Sequence, residues 1–249
     1  MHLRVRDFIQ TKENLFFAVV SYYHPIDRII AFLRYYPYAH GDRELCGQRF
    51  LKIESTDYSF DYLQKNFHEY IFQCGITNSK LQAVQLDKIK EIFHPDEKLK
   101  QLFNTMRDPL QHKTIGIANF FYKVAGIPLE KLGISGSLLL DLHIPSSDLD
   151  FVIYGLNNFE KARETLKEMF YKQRQTLFRR PKILEWIKIY KKRKINPLVY
   201  SFKEFLWHEQ RKFNRGIFNE ATFNILAVRD WSEIKEHYGD KKFERLGKI

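Results

Sequence analysis

Gly136-Ser137, followed after ten intervening residues by Asp148-Leu149-Asp150-Phe151-Val152-Ile153-Tyr154, is the stretch that decides how this chain is read. In an extended strand, side chains alternate between faces, so Asp148 and Asp150 point one way while Leu149 and Phe151 point into a core. Two carboxylates one pleat apart suit a pair of divalent cations about 3.5–4 Å apart, the separation used by two-metal phosphoryl-transfer sites. A glycine lets the backbone come close to an oxyanion, and Ser137 adds a hydroxyl beside the first amides of a following helix. Nucleotide chemistry is the leading expectation.

Outward from this stretch, Leu138-Leu139-Leu140 reads as a buried helix start running to about His143, and Phe151-Val152-Ile153 as a buried strand. Upstream, Asp108-Pro109 opens a helix to about Ala125, with Pro109 at the permissive first position and Gly126-Ile127-Pro128 as its stop. Another helix is expected over 98–107. Downstream come helices over 158–178, from Pro181 to Asn196-Pro197, over 202–210 and over 231–238, with a strand at 221–228. The first third reads as β-rich, with strands at 15–23, 28–36 and 48–53 and a helix from Asp57 or Ser59 to Phe72. Residues 75–97 read as a connector. The expected organisation is a small β-rich domain over 1–94, with no assignable chemistry, followed by a second domain over 95–249.

The chain has 249 residues, enough for a substantial core, and its apolar and charged fractions are those of a soluble globular protein. No apolar run approaches the length of a membrane span, and Met1-His2-Leu3-Arg4-Val5-Arg6-Asp7 lacks a signal core. Cys46 and Cys74 have no metal-type spacing and read as reduced thiols, which points to the cytoplasm. The nine histidines are scattered without metal-helix spacing; His143 reads as a loop residue near the phosphates. The formal charge of +11 is local: residues 172–194 hold ten basic side chains against the single acid Glu185. Such a stripe, including Arg179, Arg180, Lys182, Lys191, Lys192 and Arg193, is the footprint of a nucleic-acid partner or else a solvated helix face.

The segments Leu132-Gly133-Ile134-Ser135-Gly136-Ser137 and Ser146-Ser147-Asp148-Leu149-Asp150-Phe151-Val152 resemble the signature of the DNA polymerase β-like nucleotidyltransferase superfamily. That signature is a hydrophobic residue, Gly, then Gly or Ser, a spacer of roughly nine to thirteen residues, and Asp-x-Asp/Glu within a strand. The resemblance implies an α/β (α+β) fold whose mixed sheet is flanked by helices. It further implies a bound nucleoside triphosphate, Mg2+ or Mn2+, and transfer of a nucleotidyl group with release of pyrophosphate. Asp148 and Asp150 would hold metal and act in catalysis, while Gly136, Ser137 and Ser147 would bind the nucleotide. The acceptor would be a hydroxyl on RNA, DNA or a protein. The first hundred residues are also similar to a family of archaeal nucleotidyltransferases of unknown substrate, a likeness that carries no chemistry.

Such enzymes generally draw a third carboxylate from a later strand, here 221–228. Its polar centre is Asn224, so the acid candidates are Glu220, then Asp230. If Asn224 fills that position, a neutral amide is a poor base. A catalytically degenerate nucleotide- or RNA-binding protein is therefore the alternative expectation. An antitoxin-like enzyme modifying a protein ranks third, because such proteins are little more than the minimal domain.

Overall fold

A computed structural model describes residues 2–105, 108–171, 178–193 and 196–240. Lys172, Arg174 and Lys194 of the basic stripe, and the chain end at Leu246–Ile249, lie outside the described residues.

The first half of the chain supplies strands β1 (Phe8–Thr11), β2 (Phe16–Val19), β3 (Arg28–Pro37), β4 (Arg43–Leu45) and β5 (Gln48–Lys52). Helix α1 (Thr56–Asn66) then precedes β6 (Ile71–Cys74), β7 (Ser79–Gln85) and β8 (Ile89–Phe93). These strands form one antiparallel sheet in the order β4-β5-β3-β2-β1-β8, with β7 pairing β3 and β6. Ser55, not the expected Asp57 or Ser59, caps α1, its hydroxyl accepting from the Tyr58 amide.

Two further expectations fail in this half. The helix stops at Asn66, and Ile71–Cys74 is strand. Residues 75–97 are no connector, since they hold β7, β8 and the start of α2 (Pro95–Thr105). The period-two signal in β7 is masked by Gln82. This buried side chain accepts from the Leu33 amide at 2.9 Å and donates to Ser59 Oγ at 2.8 Å, a polar residue satisfied where the pattern calls for an apolar one.

The second half supplies α3 (Pro109–Ala125), β9 (Leu132–Ser135), α4 (Gly136–Leu139), β10 (Leu149–Tyr154) and α5 (Leu156–Tyr171). It continues with β11 (Phe178–Arg179), α6 (Ile183–Lys192), α7 (Phe202–Gln210), β12 (Arg215–Phe218) and β13 (Ala221–Val228). The second sheet has the order β11-β12-β13-β10-β9, and it is mixed because β10 and β13 run parallel while the other pairs are antiparallel. Asp108 Oδ1 accepts from the Leu110 and Gln111 amides at 2.8 and 3.0 Å, which fixes the start of α3. The expected helix over 231–238 shrinks to one 3-10 turn, Trp231–Glu233, and the helix after Ser137 ends at Leu139.

Strand alternation divides the second sheet into two faces. Phe151, Ile153, Phe223 and Ile225 pack with Leu99, Phe121 and Leu166 from α2, α3 and α5. Asp150, Asn224 and Leu226 lie on the opposite face, toward the first sheet. A further apolar cluster joins the halves: Phe8, Phe16, Tyr35 and Phe50 of the first sheet pack on Leu139, Leu140 and Leu142. No helix among the described residues is long and apolar enough to cross a membrane.

Phe121 is fully buried in the helix-facing core. Phe121→Ala is expected to lower the unfolding free energy by about 3–5 kcal/mol through lost transfer energy and the cavity left behind. Leu198→Ala, at a residue 94% exposed, should change it by less than about 0.5 kcal/mol. Denaturant titration of both variants is the check.

Candidate active site between the two sheets

Register on the second sheet sets the site. Antiparallel pairing places Ser135 opposite Asp150, parallel pairing places Asp150 beside Asn224, and antiparallel pairing places Asn224 opposite Arg215. Cross-strand partners share a face, so these four residues form one polar row. Asn224, 8% exposed, donates from Nδ2 to Asp150 Oδ1 at 3.0 Å. Asp148 lies just before β10, half-buried like Asp150, and lines the same cavities.

Gly136 meets two demands at once. Its φ is +66°, a left-handed conformation that costs other residues energy, and a Cβ there would sit 2.7 Å from Asp150 Oδ2. Only glycine leaves the second carboxylate oxygen uncovered. Ser137 follows at the start of α4, which at four residues is too short to contribute much dipole. Side-chain cations stand where such a dipole would act.

Those cations come largely from the first sheet, where sequence reading found no chemistry. A cavity of about 290 Å³ is bounded by Ser135, Gly136, Ser137, Ser147, Asp148 and Asp150 on one side, and by Arg6, Arg34, Arg43 and Lys52 on the other. A wider cavity of about 710 Å³ shares Arg34, Lys52, Asp148, Asp150 and Lys192, and adds Glu54, Arg193, Arg215 and Asn224. Arg34 owes its place to a β-bulge. Phe16 pairs with Tyr35 and Phe17 with Leu33, so Arg34 is the extra residue, and it lines the cleft together with Tyr35. Arg43 crosses from β4 to donate to Ser147 Oγ at 3.1 Å and to the Leu142 carbonyl at 3.4 Å, and also pairs with Asp42.

The electrostatics follow from this crowding. Burial, then the neighbouring Arg34, Lys192 and Arg43 charges, push the Lys52 ammonium below its ordinary range. Burial and Arg193 likewise lower Arg215, against the opposing pull of Asp148, Glu209 and Asp150. Burial drives the Tyr35 phenol up to about 12. Among the described residues, Arg6, Arg34, Lys52, Lys192 and Arg215 have no side-chain hydrogen bond and no carboxylate within ion-pair distance. Clustered, unneutralised cations in a cleft are the signature of an anion site.

The structure therefore brings together Gly136, Ser137, Ser147, Asp148, Asp150, Lys192 and Arg193. It does not bring Glu220 to them. Glu220 lies in the turn between β12 and β13 with φ +63°, its side chain 80% exposed and bonded to Arg179 at 3.0 Å. Strand parity had put it on the right face, but it precedes the strand and the turn redirects it. Asp230 pairs with Lys131 and caps the 3-10 turn beyond the far end of β13. Asn224 stands beside Asp150, and among the described residues Asp150 is the one carboxylate on the polar row.

The basic stripe is split in the same way. Arg179 is held by Glu185 at 2.8 Å, Arg180 donates to the Gln210 carbonyl, and Lys182 precedes α6 on its exposed side. Lys191 is exposed as well; Lys192 and Arg193, at the end of α6, reach the cleft. Trp186 and Tyr190 pack on Phe205 rather than offering stacking faces. His143 contacts Asp108 at 2.9 Å. Arg34, Lys52 and Arg215 are the residues sequence reading missed. Their signal was a charge interrupting an apolar strand, visible in Phe32-Leu33-Arg34-Tyr35 and Phe50-Leu51-Lys52-Ile53.

Comparison with known proteins agrees with this geometry. Residues 120–211 match the model of the nucleotidyltransferase domain, a span that contains Gly136, Ser137, Asp148 and Asp150. The uncharacterized protein MJ1086 of Methanocaldococcus jannaschii is 36% identical over 257 aligned positions, which cover 99% of this chain and 74% of that protein. No solved structure matches the chain. With the glycine-serine turn, the paired aspartates and the mixed sheet in place, the chain belongs to the same family as the Methanocaldococcus protein, within the DNA polymerase β-like nucleotidyltransferases.

Proposed function

We propose that the protein is a metal-dependent nucleotidyltransferase that moves a nucleoside monophosphate from a nucleoside triphosphate to an acceptor hydroxyl, on a nucleic-acid end in the first instance. One observation carries this reading: Gly136 leaves Asp150 Oδ2 uncovered beside Asp148 on the floor of a cation-walled cleft. The donor set fits magnesium or manganese, which take one or two carboxylates and complete their shell with water and substrate phosphate. Asp148 and Asp150 would hold the metal, with substrate phosphate oxygens and water supplying the remaining ligands. When bound by Asp148 and Asp150, the metal supplies charge stabilisation at the phosphoryl oxygens.

The chain's own groups do the rest. Gly136 and Ser137 approach the β- and γ-phosphates, and Ser147, oriented by Arg43, adds a hydroxyl. Arg34 and Lys52 face the triphosphate and the aspartate pair from the opposite wall. The acceptor oxygen forms a bond to the α-phosphorus and the bond from that phosphorus to the bridging oxygen breaks. Pyrophosphate leaves with the electron pair, and the hydroxyl proton passes to water. Asn224 favours a second reading, a nucleotide or RNA binder without turnover. It stands where a base is usual, and its amide can only donate to Asp150 or accept.

Three outcomes test these statements. Labelled pyrophosphate release from the four nucleoside triphosphates, with magnesium or manganese and pooled RNA, should be measurable and fall at least ~100-fold in Asp148→Asn and Asp150→Asn. Absence of release alongside metal-dependent nucleotide binding would establish the binder. Gly136→Ala is expected to weaken triphosphate binding at least about 10-fold while lowering stability by roughly 1–2 kcal/mol, read by calorimetry and thermal melting. Lys52 holds an anion only while protonated. Triphosphate affinity should therefore be full at neutral pH and decline as pH rises through its depressed pKa, earlier than an ordinary lysine would allow; in Lys52→Arg that decline should vanish.

A further inference from the structure

The two cavities meet at Asp148 and Asp150 but differ in what lines them away from that junction. The narrower limb holds the glycine-serine turn and Ser147. The wider limb holds Arg215, Arg193 and Glu54. A triphosphate carries about four negative charges, and two divalent ions offset them. The aspartate pair then matches two of the five unpaired cations, Arg6, Arg34, Lys52, Lys192 and Arg215. Glu54 matches one more. The remainder equals the charge of one phosphomonoester, about −1.5 to −2 at neutral pH.

A nucleobase and its ribose are neutral and leave the Arg215 charge unmatched. Arg215 stands two strands from Asp150 on the same row, held there by β12 and β13. Strands lie about 4.8 Å apart, so the two backbones are separated by roughly 10 Å, a span that side chains close to the width of a single sugar.

We propose that the wider limb is an acceptor subsite for a phosphomonoester, with Arg215 and Lys192 holding the phosphate and the reacting hydroxyl one sugar away at the aspartate pair. The substrate class is a phosphorylated sugar, either free or as the 5′-phosphorylated ribose of an oligoribonucleotide, whose 2′-hydroxyl is the one left free to react. This inference rests on the nucleotidyltransferase reading for its reaction, though not for its anion site.

The test is calorimetry on the full chain with magnesium and α,β-methylene-ATP, whose α–β bond cannot be cleaved. Four probes are titrated: ribose 5-phosphate, ribose, the dinucleotide pUpU and its 5′-hydroxyl twin. Each phosphorylated probe should bind at least ~10-fold more tightly than its partner. Arg215→Gln should erase that advantage and leave affinity for the triphosphate analogue within about 3-fold; Lys192→Gln, on a separate helix, should reduce it in the same direction. Arg215→Lys, with a thermal melt for each variant, separates a lost contact from a lost fold. Stronger binding of pUpU than of ribose 5-phosphate assigns the oligonucleotide source, and the reverse assigns the free sugar. Equal binding of phosphorylated and hydroxyl probes overturns the subsite. So does an Arg215→Gln variant that weakens the triphosphate analogue as much as the acceptor. If the analogue does not bind while the phosphate advantage persists without it, the nucleotidyltransferase reading fails and the anion site stands.

Discussion

The parallel pairing of β10 with β13 is the constraint on which the rest depends. It sets Asp150 beside Asn224 and, through β12, in line with Arg215. Because side chains alternate, the same register sends Phe151, Ile153, Phe223 and Ile225 into the helix-facing core, so the polar row cannot slip without exposing that core. The position of the carboxylates is thus paid for by ordinary apolar packing. Asn224 then fixes the Asp150 carboxylate by a hydrogen bond, which orients the group before any ligand arrives.

Much of this was legible from residues alone, and for identifiable reasons. The turn at Gly136, the helix opened by Asp108 and Pro109, the helix over Phe202–Gln210 and the strand over Ala221–Val228 each carry strong local signals: caps, a fixed proline φ, unbroken periodicity. The misses share a cause as well. Gln82 is a buried polar residue satisfied by Ser59 and the Leu33 amide, and no local rule anticipates partners so far along the chain. Glu220 had the right parity and the wrong position, because a left-handed turn residue leaves the plane of the strand it precedes.

The cation wall was the larger omission. Arg34 and Lys52 are single charges within aromatic and β-branched strands of a region to which the sequence assigns no chemistry. Their role appears only when that sheet is set against the aspartates. The sheet is joined there by Phe8, Phe16, Tyr35 and Phe50 against Leu139, Leu140 and Leu142, and by the reach of Arg43 to Ser147. Conversely, the dense basic run after residue 172 looked like one stripe, whereas Arg179 is held by Glu185 and Glu220 and, among its described residues, the end of α6 is what turns inward. Local density of charge was a poorer guide than placement.

The bulge in β3 also ties the chemistry of the cleft to the length of a strand. By admitting one surplus residue it lets Arg34 and Tyr35, neighbours in the chain, face the same side of the sheet. Deleting a single residue there would restore strict alternation and force a choice. Either the guanidinium turns into the apolar cluster around Leu33 and Leu63, or the ring leaves its packing against Phe16. Chain length at this point is therefore as much a part of the binding surface as the identity of the arginine, and a tolerant-looking β-strand becomes the least editable segment of the first sheet.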